Sequence, residues 1–173
     1  MGLRGAGHRF MPNRLVFPGG AVDPEDYGAQ HASPLRPEVL RRLQASADAP
    51  LAAAFGMAAA REFAEETGLT LGAPPHLAGL DYLCRAVTPP SSPMRFDARF
   101  FVVDAAYISG TLAGSGELEE LRWYGLAEAM ALDLAAATRG VFEKLMEWLA
   151  MPPGHRAART RTPTMISRVW QEE

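Results

Sequence analysis

Cysteine is nearly absent: Cys84 is the only one in 173 residues. That excludes an internal disulfide framework and a cysteine-rich zinc site. Long apolar runs are lacking as well. The longest, Leu51 to Ala60, is far below the roughly 18 residues that a membrane span requires. No apolar segment follows Arg4, Arg9 and Arg14, so no secretory leader is expected and a cytoplasmic location is the default. Lysine is almost missing too: Lys144 stands alone, and the other sixteen basic residues are arginine. With so much alanine, this usage fits a GC-rich bacterial genome. Its physical consequence is that an anionic ligand must be held mainly by guanidinium forks, which suit bidentate phosphate contacts. An excess of positive charge is also lacking, and the net charge of −3 argues against an electrostatic nucleic-acid binder. What is present is 48% hydrophobic and 21% charged residues, a globular balance. The length fits a single domain over residues 1–173, able to bury roughly 70% of its unfolded surface.

Along the chain, Arg14-Leu-Val-Phe17 reads as a short strand, and Pro18-Gly19-Gly20 as a sharp turn. Prolines 24, 34, 37 and 50 punctuate the block that follows, which reads as a surface insertion over residues 27–50 with a short helix near Pro37 to Ala47. Leu51 to Thr67 is a helix rich in strong formers, stopped by Gly68. Ala53, Gly56, Met57, Ala60 and Ala64 share one face of it, small enough to approach a sheet closely. Leu77 to Val87, Arg95 to Ala105 and Glu119 to Tyr124 read as strands, Leu126 to Leu132 and Ala136 to Leu149 as helices. Residues 154–173 form a basic, irregular tail with a short element near Met165 to Trp170. Strands mixed with long helices imply a layered α/β domain.

Arg61-Glu-Phe-Ala-Glu-Glu-Thr-Gly-Leu69 is the informative stretch. On a helix, Glu62, Glu65 and Glu66 stand at i, i+3 and i+4, on one side of the cylinder. They also occupy the last turns, where the helix dipole disfavours carboxylates, and only Arg61 is near to offset them. Local stability would not choose this arrangement. A hard divalent cation, which wants carboxylate oxygens and keeps waters and substrate phosphates as further ligands, would explain it.

These residues resemble the box of the Nudix hydrolases, G-x5-E-x7-R-E-U-x-E-E-x-G-U, where U is a bulky apolar residue. Arg61 to Leu69 matches its whole second half, with Phe63 and Leu69 at the apolar positions, and Phe17-Pro-Gly-Gly20 matches the segment that opens it. The first half departs from the pattern. Counted from Gly20 the first acidic position falls on Asp26; counted back from Arg61 it falls on Ala53, so about 27 residues are inserted. The first acidic residue is either Asp26, brought round by the insertion, or missing. Phe10 to Gly20, a long insert and then the second half of the box look like the coenzyme-A-diphosphatase-like branch, as do Arg95 to Phe101, Leu121 to Tyr124 and Ala127 to Ala129.

The resemblance implies an α/β/α sandwich with a mixed sheet, and divalent-metal-dependent hydrolysis of a nucleoside diphosphate linked to another moiety. Coenzyme A, or a similar dinucleotide or nucleotide sugar, is the implied substrate, with a nucleoside monophosphate and a phosphorylated moiety as products. It also implies that Glu62, Glu65, Glu66 and the Gly19 carbonyl hold Mg²⁺ or Mn²⁺, and that Arg61 orients these carboxylates. The general base is Glu66 or a loop carboxylate among Glu117, Glu119 and Glu120. The family has a full strand ahead of the segment equivalent to His8, whereas here Met1-Gly-Leu3 is at most its stump. A bare sheet edge would favour aggregation or a homodimer. The broken first half and the missing strand support an alternative, a non-catalytic nucleotide-binding or regulatory module.

Other residues carry two readings. Arg95, Asp97 and Arg99 alternate along a strand, as a substrate-phosphate fork steadied by a carboxylate or as a cross-strand ion cluster. Trp123 and Tyr124 are expected in the core, with base stacking as the rival role. His8, His31, His76 and His155 have no ligand spacing and are expected at the surface. Cys84 is expected to be buried.

Overall fold

The computed structural model describes residues 1–4 and 14–173; His8, Arg9 and the Phe10-Met-Pro-Asn segment lie outside the described residues. The elements run β1 (Gly2–Arg4), β2 (Leu15–Val16), α1 (Pro37–Leu43), α2 (Ala49–Thr67), β3 (Leu69–Thr70), β4 (Asp81–Val87) and β5 (Asp97–Val102). They continue with β6 (Ser109–Gly110), β7 (Leu118–Glu119), α3 (Leu126–Ala131), α4 (Ala136–Ala150), α5 (Pro153–Ala157), β8 (Pro163–Ile166) and β9 (Val169–Glu172).

The main sheet has the order β5-β4-β8-β9; β4 and β8 are parallel and the other pairs antiparallel. Helices cover both of its faces. Tyr82 packs with Leu35 and with Val39 and Leu43 of α1, and with Ala52 and Ala60 of α2. Leu83 and Cys84 face the other way, against Val141, Leu145 and Trp148 of α4. A register shift between Tyr82 and Cys84 lets two consecutive residues join the same cluster. The result is the expected α/β/α sandwich around a mixed sheet.

Several boundaries differ from the sequence reading. Residues 27–50 are not a surface block: Leu35, Val39 and Leu43 are buried in the largest core cluster. Ala53 is exposed, and Ala52, Ala54, Gly56, Ala58 and Ala60 are the buried positions, because α2 packs against α1 as well as the sheet. The strand predicted over Glu119 to Tyr124 shrinks to Leu118–Glu119, and Trp123 beyond it is 64% exposed rather than in the core. The tail is not irregular. It supplies α5 and the β8–β9 hairpin, half of the main sheet, and Arg85 of β4 donates to both side-chain oxygens of Glu173 at 2.7 and 2.8 Å. Met1-Gly-Leu3 does not leave a bare edge, since β1 lies between β2 and β7, paired with both. Cys84 is buried, and burial pushes its thiol up to about 12.

A buried ionic node ties these parts together. Asp81 accepts from Arg42 at 2.5 Å, from the Trp148 indole at 2.8 Å and from Arg159 at 2.9 Å. Arg42 comes from α1, Trp148 from α4, and Arg159 from the stretch after α5. Burial alone would raise the Asp81 pKa, but the charges of Arg159 and Arg42 and the donated hydrogen bonds hold it below the usual carboxylate range. The depressed value means that its stabilisation is present above the unfolded carboxylate pKa and is lost as pH falls through the folded one. Asp81→Asn leaves two guanidinium groups without a counter-charge. We expect a loss of about 3–5 kcal/mol at pH 7, with a smaller difference from wild type at pH 3, read by urea unfolding.

Candidate active site

Helix α2 is built to carry charge at its end. Asp48 caps its first turn by accepting from the Leu51 N–H at 2.9 Å, and Gly68 closes it by donating to the Ala64 carbonyl. Its last turns place Glu62, Glu65 and Glu66 in three different environments: Glu65 is largely exposed, Glu62 half-buried and Glu66 only 2% exposed.

The turn after β2 meets these carboxylates. The Gly19 N–H donates to Glu66 at 2.8 Å. Gly19 has φ +150, which L side chains rarely adopt, and a Cβ on Gly20 would collide with the Glu62 carboxylate. Gly19 supplies the backbone conformation, and Gly20 leaves room for the Glu62 carboxylate. Burial, helped by the charges of Glu117 and Glu62, pushes Glu66 up to about 6; the Gly19 hydrogen bond and the Arg4 charge pull the other way.

Arg61 is the hub. Its Nε and Nη2 bind both oxygens of Asp26, at 3.0 and 2.9 Å, and its Nη1 donates to Glu62 at 2.7 Å and Glu65 at 3.1 Å. Nη2 also donates to the Ala21 carbonyl at 3.0 Å and lies 3.4 Å from Asp23. Asp26 thus returns to Arg61 across 35 positions, and Ala53 plays no part. Burial would raise the Asp26 pKa, but the bonds from Arg61 and the Asp23 N–H hold it below the usual range. Arg61 itself is raised further and stays charged.

Asp97 and Arg99 lie elsewhere. Asp97 is held by both Nε and Nη2 of Arg85, at 2.6 and 2.8 Å, and pairs with Arg99 at 2.9 Å. Arg99 lies over the Phe55 ring, 4.3 Å from its centroid. Phe55 is seven residues before Glu62, about 10 Å along the helix axis. These two residues form the cross-strand ion cluster of the second sequence reading. Arg95 precedes β5, so it does not continue the alternation. Glu119 lies in β7 and Glu120 just beyond it, while Glu117 is the loop carboxylate whose charge reaches Glu66. Among the described histidines, His31, His76 and His155 are exposed.

Among the described residues no three His, Cys, Asp or Glu side chains are gathered closely enough to hold a metal ion. Glu62 and Glu65 are instead drawn onto Arg61. The chemistry of the donors nevertheless fits a hard divalent ion. They are all oxygens, six carboxylates (Asp23, Asp26, Glu62, Glu65, Glu66, Glu117) face only two guanidinium groups (Arg4, Arg61), and repulsion contributes to the raised Glu66.

A family model described as the NUDIX domain matches residues 52–145, more than half of the chain. The chain belongs to the Nudix family. It is a hydrolase of the class that acts on nucleoside diphosphates linked to another moiety, and Nudix hydrolases generally use divalent metals. Its fold is similar to that of a NUDIX hydrolase from Alicyclobacillus acidocaldarius, at 24% sequence identity over 82% of this chain and 80% of that chain, with a TM-score of 0.61. No curated protein matches the sequence. The match begins at Ala52 and so does not include Asp26, which folding brings to Arg61.

The raised Glu66 sets a pH dependence. A carboxyl whose folded pKa exceeds its unfolded value costs stability when ionised, and the cost disappears as pH falls through about 6 toward 4.5. The metal-free protein therefore gains at most about 2 kcal/mol from this group on acidification from pH 7 to 5. Glu66→Gln removes that gain and makes the metal-free protein more stable at pH 7, as thermal melts at the two pH values would read.

Proposed function

We propose that this Nudix hydrolase cleaves the diphosphate of coenzyme A or of a related dinucleotide or nucleotide sugar. Glu62, Glu65, Glu66 and the Gly19 carbonyl would hold Mg²⁺ or Mn²⁺. When bound, the ion would neutralise charge on the diphosphate and ease ionisation of the attacking water. The observation that carries this reading is the placement of Glu66: a buried carboxylate accepting from the Gly19 N–H at 2.8 Å, on the helix end that also bears the other two glutamates of the box. A buried carboxylate at this turn, next to the proposed cation, is placed to take a proton from water. In the proposed reaction water attacks one phosphorus and the bridging phosphorus–oxygen bond breaks. A nucleoside monophosphate leaves, with the other moiety retaining the second phosphate, and Glu66 accepts the proton. Glu117, exposed in the loop before β7, is the other carboxylate placed to act as the base.

Arg61 would set the positions of Glu62 and Glu65 and would not touch the substrate, since all its nitrogens are already engaged. The coenzyme-A reading is supported by the long insert within the box and by the Arg95 to Phe101 pattern. The exposed Trp123 offers an aromatic face to a base. The non-catalytic alternative loses its two supports, because Asp26 stands on Arg61 and β1 is paired on both sides.

The direct test is phosphate release, through an added phosphatase, from coenzyme A, ADP-ribose, NADH and nucleotide sugars. Roughly 5 mM Mg²⁺ would saturate a weak, water-retaining site. We expect turnover of coenzyme A above the others, and a drop of roughly a hundredfold or more in Glu65→Gln/Glu66→Gln. A folded wild type as silent as that variant on every compound would refute the proposal.

A further inference from the structure

A diphosphate entering this site meets an excess of carboxylates, so it needs a cation from the protein that is not already committed. Most of the described guanidinium groups, near the site or away from it, are committed. Arg61 spends its nitrogens on Asp26, Glu62, Glu65 and the Ala21 carbonyl. Arg85 is shared by Asp97 and Glu173, and Arg99 is held by Asp97 over Phe55. Arg14 pairs with Asp133. The one lysine, Lys144, pairs with Glu147 over the Trp170 ring.

Arg4 is different. It ends β1, the middle strand of the β2-β1-β7 sheet, with its backbone N–H donating to the Arg14 carbonyl at 2.9 Å. Its Cα lies opposite Leu118, the neighbour of Glu117. Among the described residues it has no ion-pair partner, and its Nε is buried without a hydrogen-bond partner. Its positive charge nevertheless reaches the Glu66 carboxylate. A half-buried guanidinium held by a strand, without a carboxylate of its own and beside the acidic end of α2, is poised for a visiting anion.

We propose that Arg4 is the phosphate clamp of this site, binding the substrate diphosphate beside Glu66 through its guanidinium fork. The proposal rests on the hydrolase reading above and adds the substrate-binding residue that the sequence motif does not contain. Nothing in the box points to it, because strand pairing rather than sequence proximity brings it there. A guanidinium fork can meet two phosphate oxygens at once, which an ammonium cannot.

The test uses inorganic pyrophosphate with Mg²⁺, titrated calorimetrically into wild type, Arg4→Met and Arg4→Lys, with thermal midpoints measured alongside. Loss of the clamp should weaken pyrophosphate binding roughly ten- to a hundredfold in Arg4→Met. Arg4→Lys should recover part of it, and the midpoints should stay unchanged. With coenzyme A as substrate, the same change should appear in KM more than in kcat. Wild-type affinity in Arg4→Met overturns the clamp, as does a lowered midpoint with unchanged affinity, which would make Arg4 structural. Should Arg4→Met fail to fold, Arg4→Lys decides: weakened binding supports the clamp and wild-type binding overturns it. A wild type that binds pyrophosphate through Arg4 but hydrolyses none of the diphosphate compounds would sink the proposed reaction and leave the clamp standing. One that binds no pyrophosphate overturns the clamp.

Discussion

The Arg61 guanidinium is the point on which the site depends. It sits where the end of α2, the glycine turn and the 3₁₀ turn at Pro24–Asp26 converge, and it engages a carboxylate or carbonyl from each. Without it, Asp26, Glu62 and Glu65 would be like charges crowded at the negative end of a helix, an arrangement that costs stability on both counts. With it, the bidentate Asp26 contact absorbs one face of the fork and the two glutamates share the other nitrogen. Glu66 alone stays outside its reach, held by the Gly19 amide and buried. That division of labour leaves Glu66 with a raised pKa while Arg61 offsets the charge of its neighbours.

The surrounding fold makes this hub possible. Residues 27–50 interrupt the box in sequence but close on themselves in space, because Leu35, Val39 and Leu43 anchor the segment in the core that α2 and β4 share. Anchoring returns Asp26 to Arg61 at the low entropic cost typical of long loops whose ends are tied down. Arg42 fastens the same segment to Asp81 from within. The insertion is therefore part of the support of the site, and the hydrolase gains its first acidic contact through tertiary structure.

What could be read from the sequence was local. Arg61, Glu62, Glu65, Glu66 and Gly68 lie within three turns of one helix, so their juxtaposition follows from helical geometry alone. The burial of the insert was partly visible, since Val39 and Leu43 stand four apart, but its prolines suggested surface. The β8–β9 hairpin was hidden because Ser167 and Arg168 adopt φ values of 50 and 66 without the asparagine or glycine that normally marks such a turn. Arg4 and the Asp26 contact depend on strand pairing and on a 35-residue excursion. Neither has a spacing signal. Arg99 shows the converse: alternation with Asp97 was compatible with a phosphate fork, and only the positions of Arg85 and Phe55 reveal what the pair holds.

The central claim is that Asp26, delivered by the insertion, holds the Nε and Nη2 side of Arg61 and so leaves only Nη1 to the two glutamates proposed to bind the metal. Calorimetric titration of Mn²⁺ into wild type and Asp26→Asn tests it most directly. Loss of the Asp26 charge should free Nε and Nη2 to pair with Glu62 and Glu65 as well, weakening Mn²⁺ binding roughly ten- to a hundredfold, the range for a residue that orients metal ligands. Equal Mn²⁺ affinity in two folded proteins would contradict the account.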